Sequence, residues 1–295
     1  MASPNLHRLR VFHAVVRRES YSRAAEDLHI SQPAVSRHVL DLEEELGSKL
    51  FHRLGRRIVL TEAGRLMADY AQRIFTLAEE SRRALQELHG LERGALRLGA
   101  STTPGCYLLP RVLAAFRARY PRLEVSLDIM ASQDVVGRVV RQDLDLGFVG
   151  ATFAADLHVQ PYVEDELVLV VRPRHPLASL RSVPPEALAR ETFILRDTSS
   201  GTRRVAESEL KARGITMQHV FELRSVEAIK QAVAAGLGIS FISRYAVTLE
   251  VRHKVLALAA DRQLRFRRPL VMISRKEARL SPAALAFAAL AQKPA

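Results

Sequence analysis

The chain has 295 residues, with 44 Lys and Arg against 32 Asp and Glu, a formal net charge of +12 and one cysteine, Cys106. That length is enough for two domains with a sizeable core, no apolar run is long enough to span a bilayer, and the opening "MASPNLHRLRVF" lacks the apolar stretch of a secretory signal. One cysteine makes no internal disulfide, so the composition points to a reducing, cytoplasmic setting.

Positive charge invites a nucleic-acid reading, but its distribution matters more than its total. Residues 1–93 carry 15 basic against 13 acidic side chains, and the rest carry 29 against 19. The local pattern therefore decides. Leu6 to Arg18 has apolar residues at helical spacing. Ser20-Tyr21-Ser22 caps a short second helix, "RAAEDLH", whose Ala24 and Ala25 allow close packing. A third helix runs from Ser31 to Leu46, with Ser31 as its cap, Pro33 in its first turn and Gly47 as its stop. Val35, Val39, Leu42 and Leu46 form its buried face, which leaves Gln32, Pro33, Ser36 and Arg37 exposed. Gln and Arg make paired hydrogen bonds to base edges in a major groove, and Ser reaches a base or a phosphate. "KLFHRLGRRIVLTEAG" reads as a hairpin around Leu54-Gly55 with a basic tip. Helix, helix, turn, helix and hairpin make a winged helix. Lys49, Arg53, Arg56 and Arg57 lie in this stretch with no acid between Leu46 and Thr61.

Thr61-Glu62 open a long helix that runs to about residue 89. Met67, Tyr70, Ile74, Leu77, Ser81, Ala84 and Leu88 alternate spacings of three and four, which predicts a dimer seam; the alternative is a helix lying on its own domain. Gly90 to Gly94 reads as a hinge. The rhythm then changes to alternating strand and helix. "ALRLGA", "EVSLDIM", "LDLGFVG", "ELVLVV", "TFILRD", "VFELR" and "GISFIS" are short strands, and "PLVMISR" is a late strand followed by a helix near Ser281. A strand and helix that return at the end predict two α/β lobes with the chain crossing between them twice.

"FHAVVRRESYSRAAEDLHISQPAVSRHVLDLEEELGSKLFHRLGRRIVLTEAG" resembles the DNA-binding half of the LysR-type transcriptional regulators. The remainder is similar to their effector domain, which shares the two-lobed architecture of periplasmic solute-binding proteins. "GASTTPGCYLLP", "SSGTR" and "SVEAIKQAVAAGLGISFIS" resemble the branch that regulates carbon fixation and inorganic sulfur use. The resemblance implies an α/β chain organised as a winged helix over residues 1–60, a linker helix and hinge over 61–93, and an effector domain over 94–295. Its first lobe takes 94–163 and 269–295, and its second 164–268. It also implies base and groove contacts by Gln32, Pro33, Ser36 and Arg37, backbone-facing positions at Ser22 and Arg23, and phosphate or minor-groove contacts by Arg53 and Arg56. The implied partners are double-stranded DNA carrying an interrupted palindrome, a small effector, a homodimer or homotetramer, and RNA polymerase as a further contact.

Three strand-to-helix corners carry hydroxyls or amides: Ser101, Thr102 and Thr103; Ser132 and Gln133; and Thr198, Ser199, Ser200, Gly201, Thr202 and Arg203. Helix N-termini favour anions, and Arg203 adds a charge. The expectation is a small anion between two lobes. Relatives of the resembled branch often have an acid after the "DLG" strand, where this chain has Gly150, so the cleft floor is expected to be roomier and less negative. Cys106 reads as a structural thiol. The histidines share no ligand spacing, so no metal and no cofactor are expected, and no Ser-His-Asp spacing supports an enzyme. The competing readings are a cytoplasmic two-lobed solute-binding or enzyme-like protein with an N-terminal interaction domain, and a nonspecific nucleoid protein.

Overall fold

Side-chain caps set the first three helices. In the computed structural model Asn5 accepts hydrogen bonds from the amides of His7 and Arg8 and opens α1, Leu6–Arg18. Ser20 accepts from Arg23 N and opens α2, Tyr21–Leu28, so Ser22 lies inside the helix rather than in its cap. Ser31 accepts from Ala34 N and opens α3, Gln32–Leu46, which Gly47 ends in a left-handed conformation. Two strands, β1 at Phe51–Leu54 and β2 at Arg57–Leu60, pair antiparallel. Leu9, Phe12, Val15, Ala24, Val35, Val39, Leu42 and Leu50 form the core between them.

The structure describes residues 5–54, 57–87, 94–150, 156–276 and 280–292, apart from the side chains of 53, 54, 57, 79, 80 and 82–87. It divides into two compact units, Met1–Leu85 and Gln86–Ala295.

The long helix α4, Glu62–Glu87, starts at Thr61, whose hydroxyl accepts from Gly64 N and donates to Lys49 O. Its apolar positions do not form one seam. Ala71 is fully buried, and Met67, Ala68, Ile74 and Phe75 pack against the core of the first unit. Leu66, Tyr70 and Leu77 point outward and are at least half exposed, with the Arg73 guanidinium over the Tyr70 ring. The expected seam thus mixed residues of two faces whose centres lie about 120° apart on a helix that turns about 100° per residue. Ser81 is exposed. The Ala84 side chain, Leu88 and the expected hinge up to residue 93 lie outside the described residues.

The second unit begins with β3, Gly94–Ala100, and a turn of π-helix at Pro104–Leu108 that runs into α5, Leu109–Arg119. β4 at Leu123–Ile129, α6 at Ser132–Val140 and β5 at Leu146–Gly150 follow. Next comes β6, Leu157–Val171, and then α7 at Pro185–Ala189, β7 at Thr192–Leu195 and α8 at Gly201–Ala212. β8 at His219–Glu222, α9 at Val226–Ala234, β9 at Ser240–Ser243 and α10 at Thr248–Arg252 continue the alternation. β10 at Ala257–Leu258, β11 at Arg265–Arg275 and α11 at Pro282–Ala291 complete it.

The main sheet has the order β10-β6-β11-β5-β3-β4, with β9 also on β6, and β7 pairs with β8 separately. β3 runs parallel to β4 and β5, whereas β11 runs antiparallel to β5 and β6. β6 and β11 are longer than "ELVLVV" and "PLVMISR", and they pair from Leu157–Arg275 to Val168–Arg265. One end of this ribbon serves a core of Leu98, Phe116, Phe148, Met272 and Phe287. The other serves a core of Leu167, Leu169, Phe193, Phe241 and Phe266. The two crossings between lobes are therefore one antiparallel ribbon. The charged stretches Glu164–Glu166 and Arg265–Arg268 interrupt the apolar pattern at that crossing, and there Asp165 lies directly opposite Arg268.

Gly64 shows how closely α4 is held. A Cβ at this position would sit 2.0 Å from the Leu50 carbonyl oxygen, a backbone atom with no freedom to yield. Gly64→Ala is expected to destabilise the protein by about 1–3 kcal/mol or more through overpacking, measured by denaturant unfolding of the full chain. An unchanged midpoint would contradict this packing.

Candidate functional site

The first unit presents one polar helix face. Gln32, Pro33 and Arg37 are exposed and Ser36 is half-buried, all in the first two turns of α3, whereas Val35, Val39 and Leu42 are buried. Arg37 is 80% exposed, and its Nε donates to Asp41 Oδ1 at 3.1 Å, which steadies a guanidinium directed at solvent. Exposed i,i+4 pairs of this kind add little stability, so removing Arg37 opens no cavity and costs little folding energy. Ser22 and Arg23 are exposed on the first turn of α2. The Arg53 side chain and Arg56 lie outside the described residues. Sequence reasoning missed Glu43. Its buried carboxylate accepts from Leu50 N at 2.8 Å, Phe51 N at 3.3 Å and Lys49 Nζ at 2.8 Å, fixing the first wing strand to the polar helix.

The second unit has an open cleft between its two lobes. Ser101, Thr102, Thr103, Ser132, Ser200, Gly201, Thr202 and Arg203, from the three corner motifs, line it. Gln133 does not; it is exposed, one residue further round α6 than Ser132 and turned away from the cleft. Gly150 lines the floor, and a Cβ built there would meet nothing within 4 Å, so the floor has room at this point.

Arg203 lines the cleft but does not offer a free charge. Its Nε donates to Glu207 at 2.6 Å, and its Nη1 donates to Arg196 O at 2.8 Å and Glu222 at 3.0 Å. The hydrogen bond and charge of Glu207, with those of Glu222, raise its pKa against the opposing effect of burial. Its work is to hold the corner together. The cationic groups facing the cleft that sequence reasoning missed are Arg196 and Arg268. Arg196, just after β7, donates to Thr102 Oγ1 of the other lobe at 3.3 Å and pairs with Asp197 at 3.4 Å. Hydrogen bonding from Ser199, and the Arg196 charge, hold the Asp197 carboxyl below its usual range against partial burial. Arg268 on β11 is 8% exposed. Its Nε and Nη2 reach Asp165 Oδ2 at 2.8 and 2.7 Å, its Nη1 donates to Thr202 Oγ1 at 2.9 Å and its Nη2 to Thr103 Oγ1 at 3.1 Å. Arg268 thus ties together the helix-start corners of both lobes. Its signal in the sequence is faint, because Arg268 and Asp165 are 103 residues apart.

The lining therefore holds three arginines and a set of serine and threonine hydroxyls, with no carboxylate among the lining residues. Each arginine has a carboxylate partner outside the lining, so the wall favours an anion through its N–H and O–H donors rather than through unanswered charge. Cys106 is exposed beside the first corner, and partial burial of its thiol pushes its pKa up, away from the reactive thiolate. Among the described residues no three His, Cys, Asp or Glu side chains converge as a metal site, and no helix is long and apolar enough to cross a membrane.

Comparison with known proteins follows the same division. Residues 6–65 match the family described as bacterial regulatory helix-turn-helix protein, lysR family, and residues 89–294 match the LysR substrate binding domain. A RuBisCO operon transcriptional regulator of Allochromatium vinosum is 39% identical over 284 residues, covering 96% of this chain and 94% of that protein. The regulatory domain of CcmR from Synechocystis PCC6803, solved in complex with 2-PG, is 32% identical with a TM-score of 0.63. It covers 68% of this chain and 96% of that domain. Full-length OxyR from Pseudomonas aeruginosa, at 24% identity, shares the fold with a TM-score of 0.72, covering 99% of this chain and 94% of that one.

Proposed function

We infer the function from one premise: the chain belongs to the LysR family of bacterial regulators, and it is a DNA-binding transcriptional regulator that responds to a small effector and works as an oligomer. From that premise the effector is read as a small anion carrying phosphate, carboxylate or both, taken between the two lobes. The observation that carries this reading is the cleft wall: hydroxyl donors from both lobes, guanidiniums whose carboxylate partners lie outside the lining, and no acidic lining residue. The CcmR regulatory domain supports the chemistry, since its ligand, 2-phosphoglycolate, is a phosphorylated carboxylate. Thr102, Thr103, Ser132, Ser200 and Thr202 supply donors. Arg196 supplies N–H donors, and the room beside Gly150 accommodates the body of the ligand. Ser101 is a weaker donor, because its hydroxyl faces Phe148 O at 3.5 Å. The effector shifts the regulator only by its preference for one arrangement of the lobes.

On the DNA side, the reading assigns base contacts to Gln32, Ser36 and Arg37, groove packing to Pro33 and backbone contacts to Ser22 and Arg23. Arg53 and Arg56 are assigned to the wing's contact with phosphate or minor groove. The winged helix over residues 1–60 is joined by the linker over 61–93 to the effector domain from 94 on. The exposed stripe Leu66, Tyr70 and Leu77 is the apolar surface of the linker helix that a second copy covers. The relatives are transcriptional regulators, and the reading assigns no catalysis, a cytoplasmic site of action and RNA polymerase as a further contact. A solute carrier would leave the first unit's polar helix face without a role.

Two experiments test the two ends of the chain. Arg37→Ala is expected to lose discrimination for the operator worth about 1–3 kcal/mol per half-site, with unfolding unchanged, because Arg37 is 80% exposed. Wild-type affinity for operator in a gel shift would remove this face from base reading. Calorimetric titration of 2-phosphoglycolate is expected to show binding by wild type, weakened about tenfold or more in Thr102→Val, the loss of one charged hydrogen bond. Equal binding by both would place the effector elsewhere.

A further inference from the structure

We propose that Arg268 sets the cleft's preference for anions indirectly, by holding the hydroxyls of Thr103 and Thr202 as hydrogen-bond donors; this rests on the reading of the cleft as an anion site. The argument is one of hydrogen-bond direction. A guanidinium carries five N–H donors and no acceptor. A threonine oxygen that receives one of them must therefore use it as an acceptor. Its own O–H is then directed elsewhere. Arg268 makes this contact with Thr202 at 2.9 Å and Thr103 at 3.1 Å, one residue from each lobe, and both side chains line the cleft. With one lone pair held by a cation, each hydroxyl is polarised so that its O–H becomes the stronger donor and its remaining lone pair the weaker acceptor. A phosphate or carboxylate gains from those strengthened donors; an ammonium group finds only weakened acceptors.

Arg268 is a positioning residue rather than the ligand's counter-charge. Its own charge is answered by Asp165, which is fully buried and accepts from Arg268 at 2.7 and 2.8 Å and from Ser243 Oγ at 2.7 Å. The planar fork is required: it holds one carboxylate and two hydroxyls at once in fixed directions. A lysine ammonium keeps the charge for Asp165 but reproduces no such fork.

The test is a double-mutant cycle on the full chain, read by calorimetric titration of 2-phosphoglycolate and of inorganic phosphate, with unfolding followed in parallel. Arg268→Gln is made together with Asp165→Asn, so that no buried charge is left alone and an amide that accepts as well as donates replaces the guanidinium. The expected result is a loss of about tenfold in this neutral pair and about tenfold in Thr202→Val. The combination should be little weaker than either alone in binding. Losses in binding that multiply, or a folded neutral pair that binds like wild type, overturn the proposal. Arg268→Lys, which keeps Asp165 paired, is expected to bind about tenfold more weakly, and wild-type affinity in that variant also overturns it. Failure of the wild type to bind either anion, or unweakened binding by Thr102→Val, brings down the anion reading of the cleft and this proposal with it. Weakened binding by Thr102→Val beside wild-type binding by the Arg268 variants rejects the role of Arg268 alone.

Discussion

The second unit depends on one buried ion pair. Asp165 and Arg268 face each other where β6 and β11 cross between the lobes, the carboxylate fully buried and the guanidinium nearly so. Burying two charges is costly unless geometry and further hydrogen bonds repay it. Here both conditions hold: the pair is bidentate onto one carboxylate oxygen, Ser243 serves the other, and two further Arg268 donors reach Thr103 and Thr202. An apolar pair could pack the same crossing, but it would leave the two threonine corners without a shared fixed point. The pair thus links the ribbon that joins the lobes to the wall that faces the ligand.

The first unit rests on a smaller version of the same device. Glu43 is a buried acid on the polar helix, and its oxygens collect two backbone amides and a lysine from the start of the wing. An amide left without that acceptor would cost more than the bond itself contributes. Helix α3 and the wing therefore keep a fixed relation, as the base contacts proposed for α3 would require. Gly64 adds a steric condition, since only a residue without Cβ lets α4 pass the Leu50 carbonyl.

Much of this was legible because local chemistry decides it. Ser31, Pro33 and Gly47 mark the ends of α3, and Val35, Val39 and Leu42 mark its buried side, all within a few turns of chain. The three corner motifs were legible for the same reason, and most of their residues line the cleft. What was hidden depends on distance. Asp165 and Arg268 break the apolar runs of their strands and look like strand ends until their partner across the sheet is known. Arg203 resembled a free cation, although Glu207 four residues on in the same helix could have been read as its partner, and only its second acid, Glu222 on β8, is remote; Arg196, seven residues earlier, resembled an ordinary surface charge. Met67 and Ile74 fitted a heptad, yet the core of their own unit covers them and leaves Leu66, Tyr70 and Leu77 as the outer stripe.

The central claim is that one anion engages both lobes through the two helix-start corners. Hydrogen–deuterium exchange on the full chain, with and without 2-phosphoglycolate, tests it most directly. The account predicts that the amides of residues 101–103, 105 and 200–204 slow together when the anion is added, because each corner gains an acceptor and the lobes lose relative freedom. Slowing at one corner alone, or at neither, would contradict it.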